Sequence, residues 1–261
     1  MLMAVDIGNT HTKLAAFAGE SLVAIERLPT DPSQAPAAAG ALMCGALYRH
    51  GITERDIDGV VFCSVVPRMT DMVEQAAQER LGIAALNVKK ARLRGITLSV
   101  DNPDTVGADR VVNVTAAYVL HGGPAIVVDF GTATTFDLID GSGCFLGGVI
   151  APGIALTSEA LTARAAQLPS IEPTFPDTII GRNADHAMRS GLMYGYLSLT
   201  EGILRRMQTE TKMHARVIAT GGLADQIAGR TDVIDILEPH LTLQGLRLIW
   251  DMNRPETAGG G

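Results

Sequence analysis

The sequence predicts an α/β protein built from two duplicated lobes, each with a mixed β-sheet. Short apolar runs typical of buried strands alternate with helical patterns along the chain. A short motif also occurs twice, because Val5-Asp6-Ile7-Gly8 is echoed by Val128-Asp129-Phe130-Gly131. The two copies lie much farther apart than the ~20–50 residues of solenoid repeats, which indicates a duplicated lobe.

In the first lobe, strands are predicted from buried apolar runs and helices from apolar residues at helical spacing. The turn Ala18-Gly19-Glu20-Ser21 joins the second strand to the third, and Pro67 suits the first turn of a helix. The predicted strands are Leu2–Ile7, Thr12–Phe17, Leu22–Leu28, Val60–Val66 and Ala84–Val88, and the predicted helices are Ala37–His50, Pro67–Leu81 and Val106–Leu120.

The segment His121-Gly122-Gly123-Pro124 is a break, so residues 1–121 are predicted to form the first lobe and residues 122–261 the second. The last helix is a candidate to pack back on the first lobe, and the tail 257–261 is expected to be disordered. The predicted strands of the second lobe are Ala125–Asp129, Thr134–Ile139, Cys144–Ile150 and Arg216–Ala219, and its predicted helices are Ala155–Gln167, Ala184–Gln208 and Thr242–Met252.

Composition and charge exclude several classes of function. The net charge is −7 and aromatic residues make up 4% of the chain, which argues against a nucleic-acid partner. No signal peptide and no apolar run of about 18 residues is found, so no membrane partner is expected. The three cysteines form no CxxC pair and are interpreted as buried thiols of a cytoplasmic protein. The GxxxxGK[ST] motif of P-loop kinases and the HExxH metal motif are both missing.

The two Asp-x-Gly turns have the composition of a phosphate site, because glycine after a strand exposes backbone N–H groups. Asp6 can hold Mg²⁺ directly or through water, and Asp129 is a second hard oxygen ligand for a cation. Lys13 can add a point charge. Hydroxyl donors to phosphate are expected from Thr10, Thr12 and Thr132.

The alternative is that each Asp-x-Gly only closes a tight turn, which is the better interpretation for a single copy. Two copies in one frame, with Thr12 aligned to Thr135, favour phosphate binding. The two turns are then expected to face each other across one cleft.

A third motif, Gly107-Ala108-Asp109-Arg110, stands where a helix is predicted to begin. A helix N-terminus favours anions and leaves N–H donors free. Asp109 could accept a proton from a substrate hydroxyl, and Arg110 could bind a carboxylate or amide oxygen. The alternative is that Asp109 only compensates the helix dipole and forms a surface pair with Arg110.

A set of motifs in a fixed order gives the chain a family resemblance over nearly its whole length. The motifs are Asp6-Ile7-Gly8-Asn9-Thr10, Gly107-Ala108-Asp109-Arg110, Asp129-Phe130-Gly131-Thr132-Ala133-Thr134-Thr135, Gly147-Gly148 with Pro152-Gly153, and Thr220-Gly221-Gly222. Together they resemble the type III pantothenate kinases. The resemblance implies the two-lobed actin-like ATPase (ribonuclease H-like) fold, which sugar kinases and acetate kinase share, and a homodimer with the site near the interface.

The resemblance also implies an activity and a set of cofactors. The activity is ATP-dependent phosphorylation of the pantothenate hydroxyl to 4′-phosphopantothenate, the first step of coenzyme A synthesis. The cofactors are Mg²⁺ and a monovalent cation, either K⁺ or NH₄⁺. Pantothenate and ATP are the small-molecule partners.

Residue by residue, the resemblance implies three groups of functional positions. Asp109 is the catalytic base, Asp129 the potassium ligand and Asp6 a Mg²⁺ ligand. The ATP-binding positions are Asp6, Ile7, Gly8, Asn9, Thr10, His11, Thr12, Lys13 and Thr132, and the pantothenate-binding positions are Gly107, Ala108, Asp109 and Arg110.

Two further substrate positions depart from the family pattern. Val100 stands where many relatives have tyrosine, and Ala184 where many have threonine. Each change removes a hydrogen-bond donor, and the loss of one such bond costs on the order of 1 kcal/mol. We therefore expect weaker pantothenate binding than in relatives that keep both residues.

Two other functions stay open at this stage. One is a kinase or phosphohydrolase of the same superfamily that acts on a different small substrate. The other is a regulatory protein that keeps the fold without turnover. The presence of Asp6, Asp109 and Asp129 together argues against the second, because a binding module has little need of all three.

Overall fold

The computed structural model describes residues 1–164 and 168–254, which form two units with one β-sheet each. Unit 1 comprises Met1–Thr97 and Asp101–Val119, together with the described part of Leu241–Gly261. Unit 2 comprises Leu98–Val100 and Leu120–His240. The predicted α/β fold with a mixed sheet in each unit is confirmed. The predicted disordered tail lies outside the described residues.

The helices and strands follow one another in the predicted order. The strands are β1 (Leu2–Ile7), β2 (His11–Ala18), β3 (Ser21–Pro29), β4 (Gly59–Ser64), β5 (Leu86–Asn87), β6 (Thr97–Leu98), β7 (Ala125–Phe130), β8 (Ala133–Ile139), β9 (Cys144–Pro152), β10 (Arg216–Gly221) and β11 (Ile236–Leu237). The helices are α1 (Pro36–Tyr48), α2 (Pro67–Leu81), α3 (Ala108–His121), α4 (Ile154–Arg164), α5 (Ala184–Thr211), α6 (Ala224–Ala228) and α7 (Leu241–Asn253).

The duplication is visible in the sheet topology. Among the described residues, the order in unit 1 is β3-β2-β1-β4-β5, and in unit 2 it is β9-β8-β7-β10-β11 with β6 added beside β9. In both sheets the strand that carries the Asp-x-Gly motif pairs antiparallel with the following hairpin strand. On its other side it pairs parallel with a strand that follows later in the chain.

The strand register corrects one detail of the predicted repeat. Thr12 lies opposite Ile7, whereas Thr134, and not Thr135, lies opposite Phe130. The sequence alignment of Thr12 with Thr135 was therefore wrong by one residue. The cause is turn length, because the first turn is one residue longer than the second.

Alternation of side chains along β1 places Asp6 on the same face of the sheet as α3. Val5 and Ile7 share a core with α1 and α2, whereas Leu2 and Ala4 share a core with α3 and α7. Because successive residues of a strand point to opposite faces, Asp6 belongs with Leu2 and Ala4. Asp6 therefore lies at the carboxyl end of β1 on the face that α3 covers.

Helix α7 holds α3 in unit 1. Thr242 donates a buried hydrogen bond of 2.8 Å to the Asn113 side chain. Gly245 lies against α3 so closely that a Cβ there would be 2.6 Å from Val112 Cγ1 and 2.7 Å from Val112 O. The close approach of the two helices depends on this glycine, since any side chain would push α3 away.

Some predicted elements differ from the structure. β5 has two residues in place of the predicted Ala84–Val88, because the Asn87 side chain accepts a hydrogen bond from Lys89 N and starts a 3₁₀ turn. β6, β11 and α6 were not predicted. Cys63 is buried as expected, but Cys44 and Cys144 are only half-buried. The predicted extension of α4 to residue 167 lies outside the described residues.

No helix within the described ranges is both long and apolar enough to cross a membrane.

The α3–α7 contact generates a stability prediction. Gly245→Ala should destabilise the protein by about 1–3 kcal/mol, because the added methyl overpacks against Val112. Gly45→Ala is the matched control, since α1 leaves open space at that position. The control should stabilise the protein by up to about 1 kcal/mol through helix propensity. Urea denaturation measures both; equal effects of the two substitutions would contradict the packing described.

Candidate active site

Four polar side chains come together in unit 1 at the carboxyl end of β1. Asp6 has Lys13 opposite it on β2 and Cys63 opposite it on β4. Lys13 Nζ is 3.8 Å from Asp6 Oδ2, and the Cys63 thiol donates a 3.5 Å hydrogen bond to Asp6 Oδ1. Each carboxylate oxygen of Asp6 thus has one donor or cation beside it. Asp109, in the first turn of α3, is close enough for its charge to act on Asp6.

The surroundings of Asp6 disfavour the ionised form of its carboxyl group. Burial raises the pKa of Asp6, Lys13 opposes this shift and the charge of Asp109 adds to it. Burial also raises the pKa of Cys63 well above its usual value, and the two carboxylates reinforce that effect. Cys63 is therefore a neutral hydrogen-bond donor, and Lys13 offsets the burial of the Asp6 carboxylate only in part. A cation bound there would relieve this strain.

Helix α3 begins within the motif that contains Asp109. Gly107 O accepts the first helical hydrogen bond from Val111 N, and Asp109 Oδ1 accepts a 2.9 Å bond from Arg110 N. A Cβ at Gly107 would be 2.5 Å from Asp109 Oδ1, so a side chain there would displace the carboxylate from this position. Ala108 is buried, whereas Asp109 and Arg110 are half-buried. The predicted position of this motif at a helix start is confirmed.

The segment between β1 and β2 forms a tight turn. Gly8 N donates to His11 O at 3.0 Å. Ile7 is buried, while Asn9 and Thr10 are exposed. His11 is half-buried, with Nδ1 3.0 Å from Arg27 Nη2. The turn therefore presents backbone and small polar side chains to solvent.

Thr12 does not occupy the place expected of a phosphate donor. Its side chain is 3% exposed, and its hydroxyl is 2.9 Å from the Thr30 hydroxyl. Thr12 therefore supports the turn from within, contrary to the expectation that its hydroxyl faces a ligand. The reason is strand alternation, which turns Thr12 to the face occupied by Ile7.

Asp129 occupies the equivalent place in unit 2, with different neighbours. Thr135 on β8 and Thr220 on β10 lie opposite it. Gly221 has φ of +98°, and a Cβ there would be 2.6 Å from Asp129 Oδ1, so only glycine fits. The Thr135 hydroxyl oxygen is buried and has no hydrogen-bond partner among the described residues. A carboxylate beside such a hydroxyl is a donor set that fits a hard cation.

Thr132 lies in the exposed turn that follows β7. Its carbonyl accepts a 3.0 Å hydrogen bond from Gly153 N. Gly153 packs so closely on the carbonyl groups of Gly131 and Thr132 that a side chain would collide with both. The Pro152-Gly153 pair of the sequence motif is thus the support of this turn.

Val100 and Ala184 both belong to unit 2. Val100 is half-buried near Gly147, where a Cβ would lie 3.8 Å from Val100 Cγ1. Ala184 is the exposed first residue of α5, directly after the cap residue Asn183, whose side chain accepts from His186 N. The structure therefore groups Asp6, Lys13 and Asp109 in one unit, and Val100 and Ala184 in the other.

The described residues hold no cluster of three or more His, Cys, Asp or Glu side chains arranged to bind a metal. A protein cage for Mg²⁺ is therefore not present in this part of the chain. Mg²⁺ commonly uses one or two carboxylates and completes its shell with water and substrate phosphates. The single buried carboxylate of Asp6 fits that mode of binding.

Sequence reasoning missed two residues of this site. Cys63 lies in a run of apolar residues and gives no polar signal, and only the register of the parallel pair β1–β4 brings it to Asp6. Thr30 follows β3 without any motif. Its contacts with the turn depend on the β2–β3 pairing.

The raised pKa of Asp6 generates a prediction about stability and pH. Between the unfolded and the folded pKa of Asp6 the native state binds more protons, so stability falls as pH rises through this window. Asp6→Asn removes the cost of the buried charge. Without Mg²⁺, this variant should melt at a higher temperature than wild type at neutral pH, and the difference should shrink towards about pH 4.

Scanning calorimetry at several pH values checks this expectation. Asp71→Asn is the control, because Asp71 is an exposed carboxylate of α2. A wild-type protein at least as stable as the Asp6→Asn variant at neutral pH would show that the charge is not costly.

The chain is similar to one family of known proteins over most of its length. The family model described as type III pantothenate kinase matches residues 2–206. The type III pantothenate kinase of Moorella thermoacetica is 44% identical over 253 residues, which cover 97% of this chain and 100% of the relative. That of Dehalococcoides mccartyi is 43% identical, covering 97% and 98%.

Among solved structures, the inorganic polyphosphate/ATP-glucomannokinase from Arthrobacter sp. strain KM has a TM-score of 0.52 at 14% identity, covering 97% of this chain and 99% of that one. This likeness concerns the fold alone. The match to the family model and the full-length identity to its members together show that the chain belongs to the type III pantothenate kinases.

Proposed function

We propose that the protein transfers a phosphoryl group from ATP to the primary hydroxyl of pantothenate, giving 4′-phosphopantothenate for coenzyme A synthesis. The observation that carries this proposal is the pair of carboxylates in unit 1. Asp6 from β1 and Asp109 from the start of α3 lie close enough to interact, beside Lys13. Phosphoryl transfer needs a cation ligand and a group that orients the nucleophile, and this pair supplies one of each.

In this proposal the ATP phosphates bind to the segment Asp6–Lys13, and Thr132 makes a further contact. The Gly8 turn exposes backbone close to solvent, as phosphate binding requires. Lys13 adds a positive charge next to Asp6. Bound Mg²⁺ would neutralise phosphate charge, and Asp6 is the residue that would hold it, directly or through water.

Asp129 is proposed to hold the monovalent cation, K⁺ or NH₄⁺. Gly131 and Gly221 have no side chains, so other groups can approach the Asp129 carboxylate closely. The buried Thr135 hydroxyl on the opposing strand is a further oxygen ligand. Such a cation would offset phosphate charge.

Asp109 is proposed as the group that orients the pantothenate hydroxyl and accepts its proton. A carboxylate is a weak base towards an alcohol. The transition state of phosphoryl transfer is loose, however, so the proton leaves late. Most of the rate then comes from positioning and charge stabilisation. Gly107, Ala108 and Arg110 would contact pantothenate, with Arg110 available to its carboxylate.

A homodimer is part of the proposal. Unit 2 exposes large apolar side chains on β9, α4 and the loop before α5, and such a surface is unusual on a monomer. The residues are Ile150, Leu156, Leu161, Ile179 and Ile180. Sedimentation equilibrium should therefore give twice the mass of the chain.

A cytoplasmic location is also proposed. All three cysteines are free, which suits a reducing compartment.

A different small-molecule substrate is the second candidate, and it is less well supported than pantothenate. Val100 and Ala184 lack the side-chain donors found at these positions in many relatives, as described above. A kinase for a different small hydroxyl compound would account for both changes. A non-catalytic regulatory role is less well supported still, since Asp6, Asp109 and Asp129 are all present and a binding module has little need of all three.

The test is direct detection of product. Purified protein is incubated with pantothenate and Mg²⁺-ATP in K⁺ or in Na⁺, and 4′-phosphopantothenate is measured by mass spectrometry. Product in K⁺ with little in Na⁺ is the expected result. Folded protein that yields no product in either salt would overturn the proposal, and a panel of other small alcohols would then test the second candidate.

The role of Asp109 gives a sharper prediction. Asp109→Asn should lower kcat by about 10²–10⁴, because the amide cannot accept the proton. The melting temperature should stay close to that of wild type. Asp104→Asn is the matched control, since this exposed carboxylate precedes α3 in the same segment. Near-normal turnover of Asp109→Asn would remove Asp109 from the catalytic role.

A further inference from the structure

Thr30, the first residue after β3, makes two hydrogen bonds to the turn that follows β1 and a third to Thr12 at the start of β2. Its hydroxyl donates to Gly8 O at 2.8 Å, and its N–H donates to Thr10 O at 3.0 Å. The Thr30 and Thr12 hydroxyls are 2.9 Å apart. Because the single Thr30 hydroxyl proton goes to Gly8 O, Thr12 must be the donor in this last bond. Thr30 therefore contacts both sides of the turn at once.

The contacts of Thr30 fix backbone groups rather than a ligand. The N–H group of Gly8 already donates a hydrogen bond to His11 O. The bond from Thr30 fixes its carbonyl side. Without the Thr30 hydroxyl, Gly8 O would lose its donor and the buried Thr12 hydroxyl its acceptor, which leaves two polar groups to find new partners. A shift of the turn is the expected response, because the Thr12 hydroxyl is buried.

In unit 2, the turn that follows β7 is also held by hydrogen bonds, but different residues supply them. Gly153 N donates to Thr132 O at 3.0 Å, just as Thr30 N donates to Thr10 O. Gly153 has no hydroxyl, however. The hydroxyl of Tyr196 on α5 is hydrogen-bonded to Thr134 Oγ1 at 2.7 Å and to Pro152 O, which lie in the strands β8 and β9 beside the turn. Thr134 is the register equivalent of Thr12, so each turn has a hydroxyl bound to the same threonine position.

We propose that Thr30 is a positioning residue for the nucleotide phosphates, which acts through Gly8 and Thr10 and does not itself touch the nucleotide. This inference rests on the proposed function, because it assumes that the Asp6–Lys13 segment binds phosphate. The backbone N–H groups of a phosphate turn act only when they are aimed at the ligand. A hydroxyl that fixes the carbonyl of Gly8 fixes the direction of the peptide planes around it.

The test compares three variants by nucleotide binding and by kinetics. Thr30→Val removes the hydroxyl with little change of shape, and Thr30→Ser keeps it. Thr209→Val is the matched control, because its hydroxyl donates to the backbone carbonyl of Arg205 on α5 in unit 2, far along the chain from the turn. Mg²⁺-ADP affinity is measured by calorimetry, and KM for ATP and for pantothenate by product formation.

Thr30→Val should weaken Mg²⁺-ADP binding and raise KM for ATP by about fivefold, the factor for one lost hydrogen bond. KM for pantothenate should be unchanged. Thr30→Ser should restore nucleotide binding, and the Thr209→Val control should match wild type. Thr30→Ala gives the same comparison if the valine variant does not fold.

Two results would overturn the proposal. Wild-type affinity of Thr30→Val for Mg²⁺-ADP would show that the turn does not need the hydroxyl. Equal increases of both KM values, together with a lowered melting temperature, would show a general structural role. If the wild-type protein phosphorylates pantothenate and Thr30→Val behaves like wild type, only this inference is contradicted. A wild-type protein that neither binds nucleotide nor forms product defeats the proposed function as well.

Discussion

The buried carboxylate at the end of β1 is the constraint on which the rest of unit 1 depends. Asp6 is fixed by its two neighbouring strands, with Lys13 on one side and Cys63 on the other. Strand alternation then turns it towards α3, which presents Asp109. Two like charges in a partly buried place oppose folding, so α7 must hold α3 firmly against the sheet. The Gly245 contact and the Thr242–Asn113 bond do so.

The duplicated unit shows how one backbone arrangement supports different chemistry. Asp129 lies at the same place in the same strand order, but a neutral threonine on β8 takes the position of Lys13. Lys13 adds beside Asp6 a positive charge that suits a phosphate group, whereas the threonine hydroxyl beside Asp129 is an oxygen ligand suited to a bound cation. In our account Asp6 therefore acts with phosphate and Mg²⁺, and Asp129 with a monovalent cation.

Sequence patterns predict the order of elements and the two Asp-x-Gly strands because both depend on local features. Buried runs such as Ala125–Phe130 and the glycine turns leave clear signals. The two-residue strands β6 and β11 were not predicted and β5 was predicted too long, since pairing with a neighbour defines these strands more than their own sequence does.

The site was predictable only where a residue stands in a motif. Asp6, Asp109 and Asp129 were predicted in this way, whereas Cys63 and Thr30 reach the candidate site through strand register alone. Thr12 is the opposite case. It stands in a motif and was expected to face a ligand, but its side chain is buried in the protein. A motif gives the place of a residue in the chain, but the pairing of the strands decides which way its side chain points.

The claim that Asp6 and Asp109 are neighbouring carboxylates with separate tasks is tested most directly by calorimetric titration with ADP, with and without Mg²⁺. Asp6→Asn should lose the gain in affinity that Mg²⁺ gives to wild type. Asp109→Asn should bind Mg²⁺-ADP within about twofold of wild type, a difference below about 0.5 kcal/mol. Equal loss of Mg²⁺-dependent binding in both variants, or loss in neither, would contradict this division of roles.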